Sequence, residues 1–316
     1  MFLSSFFFGL FNLLRNTNII IGILLSVLSF FTAIISIYNP KEFNSSFKYL
    51  LITLQIILAL FIFIFGFDDF PRISPLEKVI DGSSANGVTT VISLIQATYF
   101  ISSYFLKKKM NLILPVTTVL ICFAGYGRGS ILLALAVFLL TILVKCIDEN
   151  YYKKPVIVIS FFLISFYFIN ENIDSITYFF AANSKLERSL VDTSREEMLG
   201  DYFNKLENNF TYIIFGTDYK NTSIVNKYRN NPHNSFIRAH SFFGFLYLLI
   251  HFIFIMFFFR KIKSLLDFII IIIFCFFVFM RIFTEVAFMA TSMDFIMYYI
   301  IFLGIFRSEK IIAQSY

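Results

Sequence analysis

The sequence predicts an all-α polytopic membrane protein of about ten transmembrane helices with one large extracytoplasmic loop. Three observations lead there: more apolar side chain than a soluble core can hold, a succession of apolar runs of membrane-crossing length, and short loops that alternate between rich and poor in lysine. Of the 316 residues, 58% are hydrophobic and 15% charged, and the mean hydropathy is +0.79. A soluble domain has about 45–50% apolar and roughly 25% charged residues. The excess apolar surface must therefore face lipid. The 46 Phe and absence of Trp, with the Ile, Asn and Lys bias, suit an AT-rich coding sequence, so the Phe stripes carry no functional weight.

A helix needs about 20 apolar residues to cross the hydrocarbon core, within a range of about 17–25. Runs of this kind are predicted at Phe2–Leu14 (short), Ile19–Tyr38, Tyr49–Phe67, Val88–Leu106, Asn111–Tyr126, Ser130–Val144, Pro155–Asn170, Ser241–Phe259, Leu265–Met280 and Ala290–Phe306. Met1-Phe2-Leu3-Ser4 has neither a basic region nor a small-residue cleavage site, so no cleavable signal peptide is expected.

Orientation follows from the charges of the short loops. One set carries Lys41 and Lys48; Lys107, Lys108 and Lys109; Lys145, Lys153 and Lys154; Arg260, Lys261 and Lys263; and Arg307 and Lys310. The alternate set carries only Arg15, Arg72, Lys78, Arg128 and Arg281. The lysine-rich set is predicted to be cytoplasmic, which puts residues 171–240 outside as a loop inserted within a single membrane domain of residues 1–316. No internal repeat is evident. Outside charges are mostly Arg, whose fork suits bidentate binding of phosphate.

The net charge of +6 is spread over loops and suits an anionic bilayer or an anionic lipid substrate rather than nucleic acid. The three cysteines, Cys122, Cys146 and Cys275, lie in or beside apolar runs. That argues against structural disulfides and against a cysteine metal site. No P-loop, histidine metal cluster or nucleophile motif is present, so neither metal nor cofactor is expected.

Four places can carry chemistry. The first is Asn230-Asn231-Pro232-His233-Asn234, where Asn231 can cap the following helix and Pro232 fits its first turn. From there His233, His240, Gly244, Tyr247 and His251 fall at spacings of 7, 4, 3 and 4, which is one helical face. A polar stripe on such a helix faces the bundle interior or a wet cavity; plain interhelical hydrogen bonding is the alternative, above all for the deep His251. The second is Thr193-Ser194-Arg195-Glu196-Glu197. Ser194 and Glu197 read as a capping box, followed by an apolar stripe of Met198, Leu199, Tyr202, Phe203 and Leu206. Arg195 is centred on that stripe and wants an anionic partner, either a ligand or a structural carboxylate such as Asp192 or Glu285.

The third place is the tight turn Gly125-Tyr126-Gly127-Arg128-Gly129-Ser130, whose glycines free the backbone and expose amides to an anion. Arg128 there either binds such an anion or snorkels at the interface. The fourth is Arg281-Ile282-Phe283-Thr284-Glu285, which is either a helix-stabilising i,i+4 pair or a lining of the site. Asp294 is either a buried carboxylate or the start of the last span. Asp68-Asp69 could act as a base or hold a metal, but a solvated helix end is the plainer reading.

Together these residues resemble the O-antigen polymerase and O-antigen ligase superfamily. Gly127-Arg128-Gly129-Ser130 is similar to the family's Ser-Arg-Gly turn, with Gly127 in place of Ser. Thr193-Ser194-Arg195, a helix and then Phe215-Gly216 resemble the opening of its large periplasmic loop. His233-Asn234, nine residues, Gly244, two residues and Tyr247 resemble the ligase-type pattern. The resemblance runs from about Cys122 to Phe306. The chain is shorter than is usual for the family and is expected to lack one or two N-terminal spans.

The resemblance implies a metal-independent, inverting glycosyltransferase of the C-type membrane fold in the bacterial inner membrane, with the loop in the periplasm. Donor and acceptor would be glycans on undecaprenyl diphosphate; a chain-length regulator and a flippase would be partners. It implies His233, Arg195 and Arg128 as catalytic residues. Arg238, Arg281, His240, Asn234 and Glu285 are the accompanying substrate-binding candidates. The expected function is polymerisation of O-antigen or capsule repeat units. The alternatives are ligation of finished polymer to lipid A-core and, less in keeping with the sequence, flipping of a lipid-linked sugar.

Overall fold

The computed structural model describes residues 18–65, 74–79, 85–107, 109–125, 127–148, 193–219, 232–262, 264–286, 291 and 293–313. Among them every regular element is helical: α1 (Asn18–Tyr38), α2 (Pro40–Phe65), a 3-10 turn (Pro75–Lys78), α3 (Ala85–Phe105), α4 (Ile113–Ala124), α5 (Arg128–Asp148), α6 (Thr193–Glu207), α7 (Phe210–Phe215), α8 (Ser235–Arg260), α9 (Leu265–Thr284) and α10 (Asp294–Ala313). Six of these, α1, α2, α3, α5, α8 and α9, are long and apolar enough to cross a bilayer. The chain is a multi-pass, membrane-embedded helical protein. α4 falls short of the expected span: it has 12 residues and rises about 18 Å, against a hydrocarbon core of about 30 Å. The expected spans Phe2–Leu14 and Pro155–Asn170, and Asp68 and Asp69, lie outside the described residues.

The chain divides into two compact units, residues 44–191 and residues 1–43 with 192–316. In the first, α3 is buried on almost all sides and supplies a run of small polar side chains. Hydrocarbon offers these groups no partner, so they pair with one another. Gln55 on α2 donates to the Leu114 carbonyl at 2.7 Å and to Thr118 Oγ1 at 2.9 Å, and Thr118 donates to Gln96 on α3 at 3.2 Å. Ser103 donates to Asn44 at 3.1 Å. The glycine turn between α4 and α5 serves close packing: a Cβ on Gly125 or Gly127 would strike Thr89 on α3.

The second unit shows on α1 what a membrane helix looks like from both sides. Ile21, Leu24, Leu28, Phe31 and Ile35 form one stripe at helical spacing, and all are exposed. Ser26, Ser29, Ala33 and Ser36 form the opposite, buried stripe. Apolar out and small or polar in is the reverse of a soluble helix. The buried stripe meets α10, where Ser26 donates to Asp294 at 3.1 Å and Phe30 sits edge-on to Tyr298 and Phe302. Asp294 fulfils both readings at once: it opens α10 and is fully buried. Its carboxylate accepts from the Thr291 amide at 3.3 Å, while Thr291 Oγ1 accepts from the Met293 amide at 3.1 Å. This is the reciprocal arrangement of a capping box.

α8 departs from the expected single helical face. Gly244 has φ 73° and ψ −176°, so the helix is broken there. Gly216, which ends α7, has φ 82°. The two glycines interlock: a Cβ on Gly216 would strike the His240 carbonyl, and one on Gly244 would strike the Ile214 carbonyl. Each must lack a side chain both for its backbone angle and for this approach.

Gly216→Ala and Gly244→Ala are each expected to destabilise the protein by more than the roughly 1–2 kcal/mol of a left-handed residue alone. Gly200→Ala, inside α6 and facing open space, is expected to be neutral or stabilising. Loss of monodisperse protein after stepped heating in detergent measures this; equal melting of all three variants would refute it.

Candidate functional site

Of the site candidates, His233, Asn234 and Glu285 come together where α8 begins and α9 ends. Asn234, not Asn231, caps α8: its backbone is extended, and its Oδ1 accepts from the Phe236 and Ile237 amides at 2.8 and 3.1 Å. Pro232 therefore precedes the helix instead of sitting in its first turn. His233, wedged between them, has φ 47°, a left-handed conformation uncommon outside glycine. That backbone turns the imidazole toward α9. Its Nδ1 lies 3.4 Å from Glu285 Oε2, and the side chain stays 27% exposed.

Glu285 reaches His233 by leaving its helix. α9 stops at Thr284, and Glu285 is extended, with φ −149° and ψ 158°. The expected i,i+4 arrangement with Arg281 is thus not a pair on one helical surface. Ser235 Oγ donates to the Glu285 carbonyl at 2.7 Å, stitching the two helix ends together. A charge-assisted hydrogen bond is about 2.7–2.9 Å long, so the His233–Glu285 contact, at 3.4 Å, is loose. Arg281, one turn before Glu285, is only 2% exposed.

Arg238 lies one turn into α8, its guanidinium 5.4 Å from the Phe242 ring. Its Nε is buried and has no hydrogen-bond partner among the described residues. Tyr219 faces it: burial pushes that phenol up, and the nearby guanidinium pulls it back down.

His240 is a structural pin. Its Nε2 lies 2.8 Å from the Ile213 carbonyl, which only accepts, so Nε2 carries the proton. Nδ1 then accepts from the Tyr202 hydroxyl at 2.7 Å. Burial pushes the Tyr202 phenol well above its ordinary value, and the Thr217 backbone only partly offsets this; Tyr202 is a neutral donor. With both nitrogens engaged, His240 joins α6, α7 and α8. His251, 1% exposed, does the same deeper down, between the Tyr247 carbonyl at 2.9 Å and the Tyr298 hydroxyl at 3.1 Å. The predicted common face is broken twice: His233 precedes the helix, and Gly244 resets the phase before Tyr247 and His251.

Arg195 occupies the first turn of α6, in register with Met198 and Tyr202. Those two alone of the predicted stripe are buried, while Phe203 is exposed. Arg128 is the first residue of α5. The side chains of both arginines lie outside the described residues. Sequence reasoning passed over Tyr202, Tyr219 and Ser235. The usable signal was Tyr202 within an apolar stripe, since a buried tyrosine hydroxyl has to find a partner. Among the described residues no three His, Cys, Asp or Glu side chains converge, and the cysteines are free.

Comparison with protein-family models, curated proteins and solved structures gives no match.

Tyr202→Phe is expected to cost about 1–3 kcal/mol, the usual penalty for leaving a buried acceptor unpaired, and to speed proteolysis between α6 and α7. Adding His240→Ala should cost less than the sum of the two single changes. Strict additivity of the two in proteolysis rates would show that the pin does not couple them.

Proposed function

We propose that the protein is a membrane glycosyltransferase that polymerises oligosaccharide repeat units carried on undecaprenyl diphosphate. The observation that carries this reading is His233: strained in backbone, tied through Nδ1 to Glu285, and still open to solvent at the end of a membrane-spanning helix. Such backbone strain clusters at functional sites. With Nδ1 directed at Glu285, the mechanism assigns proton acceptance to Nε2.

The chemistry follows. A sugar hydroxyl of the acceptor attacks the anomeric carbon of the donor. Its proton passes to His233 Nε2 as the new glycosidic bond forms. The bond from the anomeric carbon to the lipid diphosphate breaks, and the diphosphate takes the electron pair. Fixed positive charge stabilises that leaving group. Arg238 and Arg281, on the two helices whose ends hold His233 and Glu285, would supply it. Arg195 and Arg128 are further candidates by the motif resemblance to O-antigen polymerases and ligases alone. The topology that goes with this has about ten spans, the lysine-rich loops in the cytoplasm and residues 171–240 in the periplasm. Ligation onto lipid A-core uses the same groups and differs only in acceptor. The broken helix α8 speaks for transport, since transporters use discontinuous spans. Its break, however, is packed by Ile214 and Phe215, not open as a cavity.

A deletion strain complemented with variants tests the reading. His233→Ala is expected to erase the polymer ladder on a glycan gel, a loss of about 10²–10⁴-fold for a general base, at normal protein levels. Glu285→Gln should reduce it less, and His251→Ala should act only through protein level. A normal ladder from His233→Ala would discard the mechanism. In the uncomplemented deletion strain, single-repeat product indicates polymerase and carrier-bound polymer indicates ligase. Separately, a cysteine at the exposed Asn208 is expected to react with an impermeant thiol reagent in intact spheroplasts; labelling only after lysis would invert the topology.

A further inference from the structure

The short helix α7 carries an apolar surface that does not suit water. Phe210-Thr211-Tyr212-Ile213-Ile214-Phe215 is apolar at all but one position, yet none of its residues is buried. Phe210 is 71% exposed and Ile213 39%. No charged residue occurs from Asn209 to Thr217. α6, just before it, carries Glu196, Glu197, Asp201, Lys205 and Glu207. The chain passes from a charged helix to an uncharged one within two residues.

The depth of α7 is set by its contacts with α8. The Ile213 carbonyl meets His240, Gly216 lies against the His240 and Ser241 carbonyls, and Ile214 and Phe215 lie against Gly244. At 1.5 Å per residue these contacts sit about 8–14 Å along α8 from Ser235. Taken from the other end, Arg260 marks the opposite interface, and a hydrocarbon core of about 30 Å reaches back about 20 residues, to His240 or Ser241. α7 thus lies at the hydrocarbon boundary and just inside it. The exposed residues of α8 that follow, Phe245, Leu246, Leu249 and Phe252, continue the same apolar surface toward the opposite leaflet.

We propose that α7 is a re-entrant element. α7 dips into the leaflet at the N-terminal end of α8, and lipid acyl chains cover Phe210 and Ile213. A second copy of the chain fits poorly, because a helix of six residues is about 9 Å long and offers far less than the roughly 800 Å² per partner of a stable interface. The insertion fixes the lower end of the segment whose Ile213 and Tyr202 hold His240, and so ties the loop to the membrane independently of any substrate.

The chain has no Trp, so one introduced tryptophan reports alone. Phe210→Trp and Ile213→Trp proteins are reconstituted into phosphatidylcholine vesicles with or without bromine on the acyl chains. Both are expected to lose most of their emission in the brominated lipid and little to aqueous iodide, as Leu249→Trp on α8 should. Asn204→Trp on α6 should show the reverse. Iodide quenching of both α7 reporters without a bromolipid effect would put the segment in water and overturn the proposal. Protection of both from either quencher would overturn it too, in favour of a protein partner. Neither readout involves glycosyl transfer, so the result stands apart from the enzymatic reading.

Discussion

Within the bilayer no water is at hand, so each polar group that enters must find its partner in the protein. This constraint organises the helices. It pairs Gln55 with Thr118 and Thr118 with Gln96, Ser26 with Asp294, and His251 with Tyr298. Apolar side chains cannot specify which helix meets which, because lipid is as apolar as they are. The few hydrogen bonds between helices can. Asp294 shows the economy of this: one carboxylate closes its own helix cap and holds α1.

The same constraint explains the break in α8. A span interrupted at Gly244 needs something to pack the interruption, and α7 does so with Ile214, Phe215 and Gly216. α7 in turn is held by the His240 pin. The loop segment and the membrane helix are thus parts of one construction, and the site at the head of α8 rests on it. Three histidines of similar appearance differ in their surroundings. His233 is 27% exposed beside Glu285, while the buried His240 joins three elements and the buried His251 joins two.

The membrane class was legible because it rests on quantities that add along the chain. Apolar runs such as Ile19–Tyr38 and Val88–Leu106 nearly coincide with α1 and α3, since about 20 apolar residues have one physical outlet. Helix ends were less legible. α2 begins at Pro40, well before the apolar run, because a proline at the first helical position costs no hydrogen bond, and the lysines taken for a loop are carried on helix. α8 begins six residues before the predicted apolar run, and three after the start that a cap at Asn231 would give, because Asn234 caps it. The composition of α4 reads as a span, whereas its length is set by the packed glycine turn that follows it.

By itself, then, the sequence determined that this chain is helical and membrane-embedded, and that the head of α8 concentrates unusual polar residues. Hydropathy and residue type are local sums, readable without coordinates. The contacts within that concentration were decided by tertiary structure. A single positive φ at His233 and another at Gly244 overturned a spacing argument that assumes unbroken helix. What each histidine engages depends on Tyr202, Ile213 and Glu285, which lie 27 to 52 positions away and whose approach no local pattern encodes. Periodicity carries over one helix; a hydrogen bond between helices is a fact of the fold.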